Sequence, residues 1–197
     1  MMRFPAIIIL FVTIGLSQPN LVESSKKPDA KSDSLKLKIG DIAPTFYLNT
    51  LDGKRFYLSK TLEKKKPIVL SFFATWCEPC KKEMPVLETL SKEFEETDFY
   101  LVNVSNLVQG GKKLKEDPKL VQRLVDGLKL TMTVLMDKYA LVAKKYEAMV
   151  LPRLAIIAPD GKVSYLHTGY EYGDEKEIVN ILNQFKSPAP NSIESKN

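Results

Sequence analysis

Hydrophobic and polar positions change rhythm several times along this chain, and each change marks an element. Thr45-Phe46-Tyr47-Leu48 and Arg55-Phe56-Tyr57-Leu58 are short runs rich in aromatic residues, with Asp52-Gly53 between them. Two such runs around an Asp-Gly turn predict a β-hairpin. Ile68 to Phe73 is apolar at every position except Ser71. A run this short and continuous predicts a central strand buried on both faces. From Cys77 to Glu96 the rhythm becomes helical, with Met84, Leu87, Leu90 and Phe94 on one face and Pro85 predicting a kink. Phe99 to Val104 reads as a strand, and Asp117-Pro118 opens a helix with Leu120, Val121, Leu124, Val125 and Leu128 on one side. Between them, Ser105 to Glu116 reads as a polar loop. Thr133 to Met136 predicts a strand and Tyr139 to Tyr146 a short helix. Leu154 to Ala158 and Val163 to His167 flank a Pro-Asp-Gly turn and predict a second hairpin. Asp174 to Phe185 closes as an amphipathic helix with Ile178, Ile181, Leu182 and Phe185 inward.

Strand and helix alternate through the middle, with hairpins at both ends. The expected class is α/β: a central mixed β-sheet flanked by helices, with an N-terminal β-hairpin extension. The domain is expected at 37–186. Residues 18–36, rich in Ser, Lys, Asp and Pro, read as a flexible linker, and 187–197 as a disordered tail. Residues 1–17 read as a secretory signal peptide. Arg3 precedes an uncharged, mostly apolar run from Phe4 to Leu16, and Gly15-Leu16-Ser17 offers small residues for cleavage. The run is shorter than the roughly 20 apolar residues an ordinary transmembrane helix needs. A short uncleaved anchor is the alternative. Either way the expected place is outside the cytoplasm, periplasmic or on the outer face of the cytoplasmic membrane, where disulfides persist.

Charge changes this picture little. The formal net charge is +5, and the runs Lys64-Lys65-Lys66 and Lys112-Lys113 are too short for a nucleic-acid stripe. No nucleic acid partner is expected. His167 is the single histidine and reads as structural or exposed.

The chemistry lies in the two cysteines, which stand three apart in Trp76-Cys77-Glu78-Pro79-Cys80. Such a pair at the start of a helix can close a small disulfide, and the helix N-terminus favours the attacking thiolate. There is no third cysteine for a structural bridge or a four-sulfur metal site. The spacing alone is shared by redox dithiols and zinc knuckles. The redox reading requires neither cofactor nor metal.

The surrounding residues are more specific. Gly40-Asp41-Ile42-Ala43-Pro44-Thr45-Phe46, Leu51-Asp52-Gly53-Lys54, the strand Val69 to Thr75, Trp76 to Pro85, and Pro152 followed by a strand and Pro159-Asp160-Gly161-Lys162 all fit one pattern. Over Ile39 to Phe185 the chain resembles the TlpA/ResA group of extracytoplasmic thiol-disulfide oxidoreductases, within the redoxin/AhpC-TSA-like superfamily. The resemblance implies a thioredoxin-like fold and a monomer that reduces disulfides in exported proteins. Apocytochrome c is one possible substrate class, and a membrane-bound electron donor is implied. Three departures stand out. Phe73 replaces a common Trp, Ser71 stands where cytoplasmic thioredoxins carry a buried Asp, and Arg153 follows the proline where Thr is usual and so bears on partner choice.

The resemblance also assigns roles. Cys77 is the exposed nucleophile and Cys80 the more buried resolving thiol. Glu83 shares a helical face with Cys80 and is the candidate proton handler in place of the missing Asp. Pro152 is expected to follow a cis bond, placing the Leu151 backbone where a partner segment can pair. Trp76 and Pro79 shape the contact surface. Glu78 opposes the Cys77 thiolate by about 0.6 kcal/mol at ~7 Å in water, on the order of 10–15 mV toward a reductant. Two alternatives remain at this level. A copper-binding chaperone would use Cys77, Cys80 and His167. A thiol peroxidase normally has Thr or Ser three residues before its reactive cysteine, where this chain has Ala74.

Overall fold

The computed structural model describes residues 36–109 and 111–186. The leader at 1–17, the linker up to residue 35 and the tail at 187–197 lie outside the described residues. The elements are β1 (Tyr47–Thr50), β2 (Arg55–Tyr57), α1 (Leu58–Leu62), β3 (Ile68–Phe73), α2 (Glu78–Glu93), β4 (Asp98–Val104), β5 (Leu107–Gln109), β6 (Lys112–Leu114), α3 (Pro118–Gly127), β7 (Thr133–Asp137), α4 (Leu141–Lys145), β8 (Arg153–Ile157), β9 (Val163–Thr168) and α5 (Glu175–Asn183). Seven strands form one sheet in the order β2-β1-β7-β4-β3-β8-β9. β4 pairs parallel with β3 and β7, and every other neighbour in the sheet is antiparallel. The expected mixed sheet and N-terminal hairpin are both present.

β3 is buried at all six positions. Its side chains split by parity, since successive residues of a strand point to opposite faces. Val69 and Phe73 join a core with Met84, Leu87 and Leu90 of α2, Val121 and Val125 of α3, and Ile178 and Leu182 of α5. Ile68, Leu70 and Phe72 join the opposite core with Leu58 of α1, Val142 and Ala143 of α4, and Tyr146. The second core is closed by the segment before β1. Gly40 and Ala43 donate to Val163 and Gly161, and the Tyr146 hydroxyl donates to the Pro44 carbonyl at 2.9 Å.

Three features depart from the sequence expectation. Ser105 to Glu116 holds a two-stranded hairpin, β5–β6, rather than only a loop. α1 was not anticipated, because five residues are too few to show a period. Leu120 of α3 is exposed instead of inward, and Val121 and Val125 take the core positions.

Buried carboxylates pin the connections. Glu88 of α2 accepts from the Thr131 N–H at 2.8 Å and the Thr131 hydroxyl at 2.7 Å, fixing the turn before β7. Asp137, at the end of β7, accepts from the N–H groups of Leu141 at 3.0 Å and Ala143 at 2.8 Å and caps α4. A helix of five residues has little cooperativity of its own, so such a cap carries unusual weight. Asp137→Ala should lower the unfolding free energy by about 1–2 kcal/mol. The measurement is the urea midpoint at constant m-value, and an unmoved midpoint would show that the cap is dispensable.

Candidate active site

The two cysteines sit where β3 hands over to α2. Phe73 ends the strand, Cys77 is the N-cap of α2 in extended conformation, and the Cys77 N–H donates to the Ala74 carbonyl at 3.0 Å. Glu78 and Pro79 open the helix, where a proline ring costs no hydrogen bond. Cys77 and Cys80 are joined as a disulfide with Cα atoms 5.3 Å apart. The Cys80 N–H donates to Cys77 Sγ at 3.3 Å. In the reduced protein the same N–H and the end of a 16-residue helix favour a thiolate on Cys77. Cys80 is 0% exposed and Cys77 4%. The expected exposure of Cys77 is not met in the oxidised form: both sulfurs belong to the buried core between α2 and the sheet, and Cys77 shows solvent only an edge.

Strand parity also places Glu83. Ser71 shares the face of Val69 and Phe73 and so points at α2, where its hydroxyl donates to Glu83 Oε2 at 2.6 Å. Glu83 lies three residues after Cys80 and is 2% exposed. Burial pushes its carboxyl up to about 7; the Ser71 hydrogen bond pulls it down, and the Asp174 charge pushes it up. A carboxyl in that range can take or give a proton near neutral pH. Ser71 thus occupies the strand position of the absent Asp and holds a carboxyl that arrives from the helix.

The third contributor is the segment before β8. The Leu151–Pro152 bond is cis. The β3–β8 ladder ends at Phe72 and Arg153, so Leu151 lies beyond the last rung. Trp76 and Leu151 are both partly buried and pack against both cores. Met149 and Val150, just before them, are exposed. Together these residues form an apolar rim on the cysteine end of the sheet.

Several expected residues behave differently in three dimensions. Glu78 is exposed but not a bare charge, since Lys81 Nζ stands 2.6 Å from its Oε1. The opposing charge offsets the small push toward reduction expected from Glu78 alone. Arg153 is turned inward. It is buried, its Nε donates to the Tyr146 carbonyl at 3.2 Å, and its Nη1 donates to the Thr168 hydroxyl at 2.7 Å. Its parity with Ala155 turns it to the α4 face. His167 pairs through Nε2 with Asp174 at 3.1 Å and stacks on Tyr165. Among the described residues no three His, Cys, Asp or Glu side chains gather to hold a metal ion. The copper site of Cys77, Cys80 and His167 is therefore not assembled. One residue the sequence reading missed belongs here: Glu116, which bonds Thr75 from 41 positions away. Its only signal was a carboxylate closing a polar loop.

With this geometry in hand, comparison with known proteins is direct. Residues 39–166 match the AhpC/TSA family. The thioredoxin-like protein YneN of Bacillus subtilis is 32% identical over 162 residues, covering 82% of this chain and 87% of that protein. The thiol-disulfide oxidoreductase ResA of Bacillus subtilis is 29% identical over 167 residues, covering 85% and 83%. Among solved structures, Mycobacterium tuberculosis DsbF in mixed oxidised and reduced forms superposes with a TM-score of 0.62. It is 24% identical and covers 75% of this chain and 99% of that one, a likeness of fold.

Glu83 makes stability depend on pH. Its pKa is raised on folding, from 4.5 to about 7, so its contribution to stability is fully present below about pH 4.5 and is lost as pH rises through about 7. Oxidised wild-type protein should therefore lose on the order of 2–3 kcal/mol relative to Glu83→Gln between about pH 5 and about pH 8. Urea unfolding of both proteins at the two pH values measures this, and parallel behaviour would contradict it.

Proposed function

The chain belongs to the AhpC/TSA family and is a thiol-disulfide oxidoreductase, and on that premise we propose that it works outside the cytoplasm as a reductant of disulfides in exported proteins. The observation that carries the reading is the Cys77–Cys80 pair at the N-terminus of α2, with the buried Glu83 carboxyl one turn further on. The Cys77 thiolate attacks one sulfur of a partner disulfide. That bond breaks, a mixed disulfide forms, and the displaced partner thiolate takes a proton. Cys80 then loses its proton to Glu83 and attacks Cys77 Sγ. The mixed disulfide breaks, the Cys77–Cys80 bond closes, and the partner leaves with two electrons and two thiols. A dithiol donor at the membrane, acting by the same exchange, returns the pair to its reduced form.

The direction is supported by the charges near the pair. A strong oxidant of this chemistry stabilises its reduced thiolate. Here the buried carboxyl, once ionised, opposes a nearby thiolate, and Lys81 is engaged by Glu78. Trp76, Leu151 and the exposed Pro79, with exposed Met149 and Val150, supply the rim on which an extended partner segment lies; Pro152 is buried and acts through the cis bond, which leaves the Leu151 main chain past the end of the ladder for pairing. The location outside the cytoplasm rests on the leader at 1–17. Among the described residues no helix is long and apolar enough to cross a membrane. Apocytochrome c, whose cysteines must be reduced before haem attachment, is the substrate class implied by the resemblance. The thiol peroxidase reading lacks support at Ala74, which is fully buried and carries no hydroxyl.

Cys80→Ser should leave exported partners covalently bound to Cys77, released by dithiothreitol and absent from Cys77→Ser. The couple itself should titrate well below the roughly −120 mV of a strong oxidant. A potential near that value would reverse the direction proposed. Glu83→Gln should shift the pH profile of the second exchange step in stopped-flow, and an unchanged profile would remove Glu83 from the proton route.

A further inference from the structure

The peptide that delivers Cys77 is not held by the sheet. The β3–β4 register ends at Phe73 opposite Asn103, and Thr75 lies two residues past that last rung. Trp76 adds no polar anchor, because its Nε1 is buried without a partner among the described residues. The Cys77 N–H closes the turn on the Ala74 carbonyl, and what ties the turn to the rest of the fold is Glu116. Its Oε2 accepts from the Thr75 N–H at 2.8 Å and from Asn103 Nδ2 at 2.9 Å. Its Oε1 accepts from the Thr75 hydroxyl at 3.1 Å. Its own N–H donates to the Ser105 hydroxyl at 2.9 Å. The carboxylate therefore links the approach to the dithiol, the end of β4, and the base of the β5–β6 hairpin.

We propose that Glu116 is a positioning residue for thiol–disulfide exchange: its bonds to Thr75 fix the Ala74–Thr75–Trp76 turn and so the place of Cys77 Sγ. The inference rests on the dithiol exchange set out above. Two observations separate it from ordinary loop anchoring. The bonds go to the residue two before the nucleophile, at a point where the ladder has ended. They are also kept at a cost. Asn103 must turn its amide nitrogen to the carboxylate, and its Oδ1 is left buried with no partner among the described residues. An unmet buried acceptor is unfavourable. Exchange is sensitive to where the attacking sulfur stands, and displacement of a reacting atom by about 1 Å can lower a rate as much as 100-fold.

The test uses the full chain, reduced, at a temperature well below unfolding. Two quantities are measured: the rate constant with a small aromatic disulfide, and the pH profile of Cys77 alkylation. Glu116→Ala should slow exchange by about 10-fold and move the alkylation profile. Glu116→Gln should recover most of the rate. Its amide oxygen can accept from Thr75 N–H and Asn103 Nδ2, and its NH2 can donate to the Thr75 hydroxyl. Thr75→Val, which removes only the hydroxyl bond, should fall between. If Glu116→Ala lowers stability but leaves rate and profile as in wild type, Glu116 is only structural and the inference fails. If Glu116→Gln is as slow as Glu116→Ala, charge and not position is responsible, and it fails again. Should Glu116→Ala not fold, Glu116→Asp shortens the tether and must also be slow; a wild-type rate there overturns the inference. Wild-type protein that does not exchange at all would instead overturn the oxidoreductase reading, and this inference with it.

Discussion

A strand buried on both faces can hold a polar side chain only if something answers it. Ser71 is that side chain in β3, and the answer is Glu83 from α2. Meeting this condition orients the rest of the site. It sets which face of α2 lies on the sheet, and it seals Cys80 and Glu83 on one side of the helix. Cys77 is left at the helix end with only an edge in solvent. The same contact keeps a carboxyl inside the core without a full set of donors, and burial there pushes its pKa up.

Four carboxylates are tied into the fold beside the core, and the number of donors facing each separates their uses. Burial pushes Glu88 up, yet the bonds from Thr131, Met132 and Lys92 together bring it below the ordinary value, so it stays charged and pins a turn. Asp137 caps α4 with two main-chain donors, and burial still holds its carboxyl above the ordinary value. Glu116 accepts three bonds and braces the peptide before Cys77. Glu83 has one hydroxyl, and burial pushes it up to about 7. A carboxylate with many donors is an anchor; one with a single donor in a dry place can titrate near neutral pH and carry a proton.

Much of the fold was legible in the chain. Ile68 to Phe73 reads as a doubly buried strand because neither face is polar, and β3 has those bounds. The helical faces of α2 and α5 follow from the spacing of their apolar residues. The hairpins follow from Asp52-Gly53 and Asp160-Gly161, whose glycines take the positive φ those turns require. The Cys-Glu-Pro-Cys motif marked the site. Hairpin β5–β6 was not legible, since alternation over three-residue strands of Leu, Val and Lys gives no clear period. The sequence marked Arg153 only as a departure bearing on partner choice; strand parity turns it into the opposite core, where carbonyl and hydroxyl acceptors receive it.

By itself, then, the sequence determined the order of elements, the position of the dithiol and the candidacy of Glu83, because each of these is written in residues close together in the chain. Only the tertiary structure decided what those residues meet. Ser71 meets Glu83 across 12 positions, Thr75 meets Glu116 across 41, and Thr131 meets Glu88 across 43. A carboxylate on a surface and one in a core look identical in a sequence. Their solvation and donors differ only once the sheet and helices have closed, and it is solvation and donors that decide whether the group anchors the chain or moves a proton.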